Sequence, residues 1–235
     1  MTTSDGWTRA VRDSLAPGRL LPLGTAADGV WLAERAARQA WGRTVAGVRD
    51  AVPGRLRIGA AGPAGEAGPF PVPPGGLPPG PLRIEAEFAA VAGGRSLPET
   101  AEEVRALLLA AARELGLAVA EADLRVTDLL AEAPAPEPAP PPPDRTPPAT
   151  DDPVARAVLR VPGVAAVTDA LGPPVHRTPG AVRVECAVTA DRPVVETARA
   201  ARAAAAAAAP EGAAVTVVVT EVRRGLSGGS GSGRP

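Results

Sequence analysis

LRIEAEFAAVAGGRSLPETAEEVRALLLAAARELG, residues 82–116, is the stretch of sequence that decides the fold. Its first part alternates between apolar and mostly charged side chains, which is the period of a strand with one buried face. The inward face would carry Leu82, Ile84, Ala86 and Phe88. Its second part predicts an amphipathic helix, with an apolar stripe of Val104, Leu107, Leu108, Ala111 and Leu115. Ser96 with Glu99 fits a capping box, and Gly116 is placed to end the helix in the left-handed conformation.

A helix and a strand are predicted before this stretch, and one further strand after it. Val30–Val48 is predicted as a helix because its small and apolar side chains share one face. Val52-Pro53-Gly54 breaks that helix, and Arg55–Ala60 is predicted as a short strand. Ala122–Leu130 supplies the last strand. The inward side chains of that strand would be Leu124 and Val126. The block therefore has the order α-β-β-α-β.

A later block repeats this order of elements. Its elements are the helix Pro153–Leu159, the strands Val164–Leu171 and Ala181–Ala190, a helix that Asp191 caps and that runs to Ala209, and the strand Ala214–Val222. Arg83 and Glu85 match Arg183 and Glu185 at an offset of 100. Val126-Thr127 match Val219-Thr220 at an offset of 93. An offset that drifts slowly between two blocks indicates a diverged duplication.

We therefore expect an α+β fold of two small α-β-β-α-β modules, with helices packed on a small sheet, joined by a proline-rich linker. The predicted divisions are an N-terminal segment with a short helix (1–29), a first module (30–132) with a Pro/Gly-rich insertion (61–81), the linker (133–153), a second module (154–223) and a disordered tail (224–235). The N-terminal helix would be capped by Asp5. Its apolar face would carry Trp7, Val11 and Leu15.

Two segments are too rich in proline to form ordinary secondary structure. Residues 61–81 hold eight Pro and six Gly, and residues 133–153 hold ten Pro. Because proline fixes φ and lacks an N–H donor, both segments are expected to be extended and solvated. The second segment would act as a semi-rigid linker, so the two halves are expected to fold independently.

The composition excludes several classes of function. The 25 basic residues, all Arg, are balanced by 26 acidic ones, so no excess of positive charge favours nucleic acid. One Cys excludes a disulfide framework, and one Cys with one His cannot close a structural zinc site. Aromatic residues make up 2% of the chain, which provides little surface for stacking bases or lining a ligand pocket. No cofactor and no nucleic acid is therefore expected.

Candidate catalytic groups are few, and each has a simpler structural interpretation. Cys186 falls on the inward face of a predicted strand, and His176 lies in a Pro-rich loop, so a nucleophile–base pair is not expected. Residues 225–229 match G-x-S-x-G, but no His follows them. Three glutamates, next to Arg83 and Arg183, are interpreted as cross-strand ion pairs on wet faces: Glu85, Glu87 and Glu185. Four aspartates show no metal-ligand spacing: Asp123, Asp128, Asp151 and Asp152. We assign no catalytic, cofactor-binding or metal residue, and expect no enzyme.

The sequence also bears on location. No apolar stretch follows an early basic cluster, so no secretory signal is expected. The longest apolar run, residues 203–209, is far shorter than the ~20 residues that a bilayer span needs. We therefore expect a cytoplasmic protein without direct membrane insertion, which reaches a membrane only through a partner.

The element order and several phrases resemble the alkaline-shock (envelope-stress-response) protein family, as a tandem actinobacterial-type member. The corresponding phrases are Val161-Pro162-Gly163-Val164, Leu82–Phe88, Thr100–Gly116 and Ala122–Leu129. The Pro/Gly insertion at 61–81 and the alanine-rich helix near residue 200 depart from the family pattern. Similar chains also carry a nucleopolyhedrovirus fibrous-body-protein label, which follows the proline content rather than the fold.

The resemblance implies a non-catalytic interaction or scaffold protein linked to envelope stress or cell-surface homeostasis. Its implied partners are proteins, among them membrane-associated stress proteins. The alternatives are a small-ligand or metal-carrying module, or an enzyme of unknown chemistry. The heavy-metal-associated ferredoxin-like domain shares a Pro-Gly-Val phrase, but this chain lacks the Cys-x-x-Cys of that domain. The identity of the partner and the oligomeric state stay open.

Overall fold

The structure is a computed structural model that describes residues 18–45, 47–63, 65, 68–134, 148 and 150–223. It is a mixed α+β fold, as expected. The strands are β1 (Leu20–Pro22), β2 (Val30–Ala33), β3 (Ala51–Ala60), β4 (Leu82–Val91), β5 (Val119–Leu130), β6 (Val164–Val167), β7 (Val175–Thr178), β8 (Ala181–Thr189) and β9 (Ala214–Arg223). The helices are α1 (Glu34–Val45), α2 (Leu97–Leu115), α3 (Pro153–Leu159) and α4 (Val194–Ala208). The predicted N-terminal helix, the tail and most of the proline-rich linker lie outside the described residues.

Strand β4 and helix α2, which lie within residues 82–116, form as predicted. The four inward side chains of β4 are buried, and they join α1 and α2 in one hydrophobic core. At the start of α2, the backbone N–H of Ser96 donates to Glu99 Oε2 at 3.0 Å, as in a capping box. At its end, Gly116 has a φ of 81°, a conformation that glycine adopts without steric cost. The residue pattern within 82–116 is therefore sufficient to predict this part of the fold.

β4 is the middle strand of a three-stranded sheet with the order β3-β4-β5. It pairs antiparallel with β3 and parallel with β5. β3 begins at Ala51 and includes Pro53-Gly54, which the sequence predicted as a break. The pairing register shifts between Pro53 and Leu56, so the two intervening residues form a bulge rather than a chain break. Proline and glycine are tolerated in a strand at such a bulge.

The second sheet has six strands, in the order β1-β2-β9-β8-β6, with β7 also paired to β8. β6 and β7 follow one another along the same edge of β8. β8 and β9 are parallel, and β6 is antiparallel to β8, which repeats the pairing seen in the smaller sheet. The sequence predicted one strand over Val164–Leu171, whereas β6 ends at Val167 and β7 is an additional strand.

The predicted helix Val30–Val48 is wrong at its start, because residues 30–33 are strand β2. All four residues of β2 are buried, since the strand lies between β1 and β9 and is covered on both faces. A strand buried on both faces has a continuous apolar run without alternation, so residues 30–33 lack the period-2 pattern of a strand and are predicted as part of the helix. Glu34 then begins α1, and its carboxylate pairs with Arg38 at 2.8 Å.

The predicted cap at Asp191 is also wrong, because α4 begins at Val194 with Pro193 as its N-cap residue. The residue before a proline is disfavoured in the helical region, so Arg192 cannot begin the helix. Asp191 instead accepts a hydrogen bond from the hydroxyl of Thr189.

The described part of the Pro/Gly-rich segment 61–81 is a loop that packs on the larger sheet rather than a fully solvated one. Leu20 N donates to Gly75 O at 3.0 Å, and Leu77 N donates to Leu20 O at 2.8 Å. The indole Nε1 of Trp31 donates to Leu77 O at 3.1 Å. Trp31 belongs to a small second core with Leu20, Ala33 and Val218, against which Phe70 of the loop packs. The loop therefore covers the edge of β1 and part of the outer sheet face.

Candidate interaction surface

The smaller sheet has one buried face and one open, charged face. Arg83, near the start of β4, lies on the open face, where its Nε is 2.6 Å from Asp123 Oδ2 and 3.8 Å from Glu85 Oε1. Its Nη1 is 3.5 Å from Glu121 Oε2. The hydrogen bond to Asp123 raises the pKa of the Arg83 guanidinium above its ordinary value. Glu85 is thus ion-paired, but along β4 rather than across strands; the cross-strand partners of Arg83 are Glu121 and Asp123 of β5.

β5 forms an outer edge of this sheet and has no strand partner on its far side among the described residues. Val126, predicted to point inward, is 40% exposed, and Leu129 is 60% exposed. Val126 pairs with the buried Phe88, so it lies on the inward face as predicted. It is partly exposed because an outermost strand is flanked by only one neighbour, which covers its apolar side chains less than those of a central strand. One backbone carbonyl of β5, that of Ala122, accepts a hydrogen bond from Arg105 Nε at 3.4 Å. Such an edge is a template for another strand.

The structure separates the only thiol from the only imidazole. Cys186 is completely buried in β8, where desolvation raises the pKa of its thiol to about 12. His176 is exposed on β7 and lies opposite Arg183 in the register. Successive residues of a strand point to opposite faces, so Arg183 and His176 share one face and Cys186 points to the other. The placement of Cys186 in the core is confirmed.

Glu185 departs from the sequence prediction of a wet strand face. Its side chain is 0% exposed, and the backbone of Leu171, in the loop between β6 and β7, lies directly against it. Leu171 N donates to Glu185 Oε2 at 2.8 Å, and Arg183 Nη2 donates to Oε1 at 3.2 Å. Desolvation nonetheless dominates and raises the pKa of Glu185 to about 7. Glu87, by contrast, is half-buried on β4.

The aspartates singled out in the sequence have structural partners in most cases. Asp128 accepts the backbone N–H of Leu129 at 2.8 Å. Asp152 caps α3 by accepting from Val154 N at 2.9 Å, and it pairs with Arg177 at 2.7 Å. The described residues contain no group of three or more His, Cys, Asp or Glu that could hold a metal ion. Residues 225–229, which match G-x-S-x-G, lie outside the described residues.

Sequence reasoning placed Arg83 and Glu85 together on this charged face, but it missed Glu121 and Asp123 as the cross-strand partners of Arg83 and missed the open edge. The signal was present in the alternation of Asp123, Arg125 and Thr127 with Ala122, Leu124 and Val126. That alternation resembles a strand buried on one face, and only the strand order shows that β5 is outermost.

Within the described part of the chain, no helix is long and apolar enough to cross a membrane. No family model matches this chain, and neither a curated protein nor a solved structure matches it.

Proposed function

We propose that this chain is a non-catalytic scaffold protein that acts through protein–protein contacts, and that the outer edge of β5 is the contact surface. The occupant of that edge would be a second copy of the chain, added as an antiparallel strand. The observation that carries the proposal is an open, twelve-residue edge strand that exposes Val126 and Leu129. Addition of a strand would pair the free backbone groups and cover apolar surface.

The sequence of β5 is self-complementary when two copies pair about Leu124. In this register Asp123 of each copy lies opposite Arg125 of the other, and Ala122 lies opposite Val126. Opposite charges directly across a strand pair stabilise it, and apolar pairs on the other face add to this. A C2 contact of this kind closes on itself, so it would give a dimer and not a filament.

We propose further that the fold is a duplicated α-β-β-α-β module whose two copies are joined by a proline-rich linker. Its support is that each sheet contains an antiparallel pair followed by a parallel pair across a helix. Ala86 and Cys186 correspond at the offset of 100 that relates Glu85 to Glu185. Ala86 pairs with Leu124 and Cys186 pairs with Val219, so Leu124 and Val219 occupy equivalent positions. The strand pairing therefore aligns Val219 with Leu124, two residues before the Val126 that the sequence offset of 93 aligns with it.

The proposed setting is envelope stress, with the protein in the cytoplasm and membrane-associated stress proteins among its partners. This part depends on the resemblance of the strand and helix phrases to the alkaline-shock family. It predicts that a strain lacking the protein grows normally in neutral medium and more slowly under alkaline or detergent stress. Equal growth under both conditions would contradict the stress assignment and leave the β5 contact unaffected.

Sedimentation velocity with two charge variants tests the β5 contact. Arg125→Asp makes the edge acidic and Asp123→Arg makes it basic, so each variant should be monomeric because like charges would face each other. An equimolar mixture of the two should recover the dimer. Arg57→Asp, the same charge change on β3, is the matched control and should dimerise like the parent chain. A parent chain that is monomeric at high micromolar concentration would overturn the proposal, as would two variants that still self-associate.

A further inference from the structure

The smaller sheet has a second outermost strand, β3, on the side away from β5. Among the described residues, β3 pairs with β4 and with no other strand. Ala61 N donates to Pro81 O at 2.9 Å, so these two residues form a hydrogen-bonded pair of the antiparallel ladder. Hydrogen-bonded and non-hydrogen-bonded pairs alternate along such a ladder, so Leu56, Ile58 and Ala60 direct their backbone groups away from β4. These groups form an edge to which another strand can add.

Three exposed arginines border this edge: Arg19, Arg55 and Arg57. Arg55 lies in the bulge of β3, and Arg57 lies two residues further along the strand. Arg19, just before β1, lines one depression together with Arg57 and residues 58–60 of β3. None of the three arginines makes an ion pair with another described residue. The edge of β3 therefore carries positive charge that no described carboxylate neutralises by direct contact.

The carboxylates of the open sheet face lie on β4 and β5 and not on β3. Arg83 contacts three of them: Asp123 at 2.6 Å, Glu121 at 3.5 Å and Glu85 at 3.8 Å. Two copies of β3 placed side by side would bring their arginines together, and like charges across a strand pair are destabilising. The charge of this edge therefore opposes self-pairing and favours an acidic strand.

β4 shows which residue pattern fits beside β3. Glu85 of β4 lies opposite Arg57, and Ile84 lies opposite Ile58. Acidic and apolar residues therefore alternate in the part of β4 that pairs with β3. The same alternation on an added strand would place acidic side chains on the open face beside the arginines and apolar side chains on the helical side.

A depression of about 200 Å³ at the end of β3 provides room for a carboxylate of such a strand. The charged residues that line it are Arg19, Arg57, Arg83 and a single carboxylate, Glu85. Gly59 also lines it, and a Cβ atom added there would lie in open space. The missing side chain therefore leaves room beside the guanidinium groups. A carboxylate bound there would accept charge-assisted hydrogen bonds, which are stronger than neutral ones.

We propose that the outer edge of β3 binds an extended acidic segment of a partner protein, which adds as a further strand of the smaller sheet. The backbone of the segment pairs with Leu56, Ile58 and Ala60. Its acidic side chains pair with Arg55 and Arg57. The contact uses the opposite edge from the proposed β5 contact and a different occupant, so either proposal can be wrong while the other holds.

Fluorescence anisotropy of a labelled acidic peptide, TEVEVET, tests the contact, with TKVKVKT as the basic probe of equal length. We expect saturable binding of the acidic peptide that weakens as salt is added, and weak or no binding of the basic one. The double variant Arg55→Asp with Arg57→Asp should weaken binding at least about tenfold, because like charges would then face each other. Ala60→Pro removes an outward N–H of the edge and should weaken binding at least about threefold.

Arg113→Asp, which reverses an exposed charge at the end of α2, is the matched control and should bind the acidic peptide like the parent chain. Thermal melting checks the fold, and the exposed Arg55 and Arg57 can be replaced without loss of core contacts, so the melting temperature of the double variant should be unchanged. Absence of saturable binding of the acidic peptide to the full chain would overturn the proposal. Equal binding of the basic peptide, or undiminished binding by the double variant or by Ala60→Pro, would overturn it as well.

Discussion

Glu185 is a buried carboxyl group, and its surroundings disfavour the ionised form. It is enclosed in β8, with Arg183 and the backbone N–H of Leu171 as its hydrogen-bond donors. The negative charge of Asp169 adds to the effect of burial and further raises the pKa of Glu185. The two donors do not offset desolvation, so the folded state binds a proton here at a pH where the unfolded chain has released it.

This difference predicts a pH dependence of stability. The pKa of Glu185 rises from the ordinary value of 4.5 to about 7 on folding, so the free energy of unfolding should fall as pH rises through that window. The loss amounts to at most about 3 kcal/mol at 1.36 kcal/mol per pKa unit. The lowered pKa of Asp28, about 2, acts at a lower pH and does not enter this window. Urea titrations between pH 4.5 and 8 measure the slope, and Glu185→Gln should flatten it. A slope unchanged in that variant would contradict the assignment.

Cys186 should behave as a small core side chain. Cys186→Ser places a hydroxyl in an apolar site and should lower the free energy of unfolding by roughly 1–3 kcal/mol. Because the thiol is fully buried and its pKa is raised to about 12, the folded protein should react with a bulky thiol reagent only as fast as it unfolds. Urea titration and labelling kinetics measure the two effects. Immediate labelling of the native protein would contradict burial.

At the scale of the element, α4 shows how a helix of small side chains forms a core. Ala198, Ala201 and Ala205 are fully buried and belong to the main hydrophobic core with β8 and β9. Alanine has high helix propensity, and its small side chain leaves little space between helix and sheet. The covering of this helix face therefore comes from the chain itself.

The close packing of α4 predicts an asymmetric response to substitution. Ala201→Leu inserts three carbon atoms into a filled site and should destabilise the protein by about 1–3 kcal/mol. Ala206→Leu, on the exposed side of the same helix, should change stability by less than about 0.5 kcal/mol. Chemical denaturation of both variants measures the difference. Equal stability of the two would indicate that α4 is loosely packed.

The elements that could be predicted from sequence are those whose signals are local. β4 and α2 carry alternation, a helical stripe, a cap and a terminal glycine within residues 82–116. β2 could not be predicted, because its partner β9 lies at the other end of the chain and burial on both faces removes the alternation. Whether Glu185 and Val126 are exposed or buried likewise depends on which strands lie beside them. That β3 is an outermost strand also follows from the strand order, and no residue pattern indicates it.

At the scale of the whole molecule, the N-terminal hairpin joins the two parts of the chain. β1 and β2 precede the smaller sheet in sequence but belong to the larger one, where β2 pairs with β9. One hydrophobic core contains residues from α1, α2 and α4. The proline content of 133–153 predicts that the halves fold independently, whereas this pairing favours halves that stay bound to each other.

Limited proteolysis distinguishes these two expectations. Cleavage within 133–153 should give two fragments that elute together in gel filtration, because β2 still pairs with β9 of the C-terminal fragment. The fragment 1–132 made alone should be less stable than the same residues in the cleaved complex, since Trp31 and Leu32 lose their neighbours. Separate elution of two folded fragments would show that the halves are independent.

The pairing of Val30 with Val217 also sets the order of events during synthesis. The first hairpin leaves the ribosome with its apolar side chains uncovered, and β9, which pairs with it, is made only after β3 to β8. Contacts this distant in sequence slow folding because a long loop must close first. Until β9 emerges, the hairpin is available to chaperones and to the corresponding strand of another nascent chain. Swapped dimers that exchange this hairpin are therefore the misfolded products to expect at high expression.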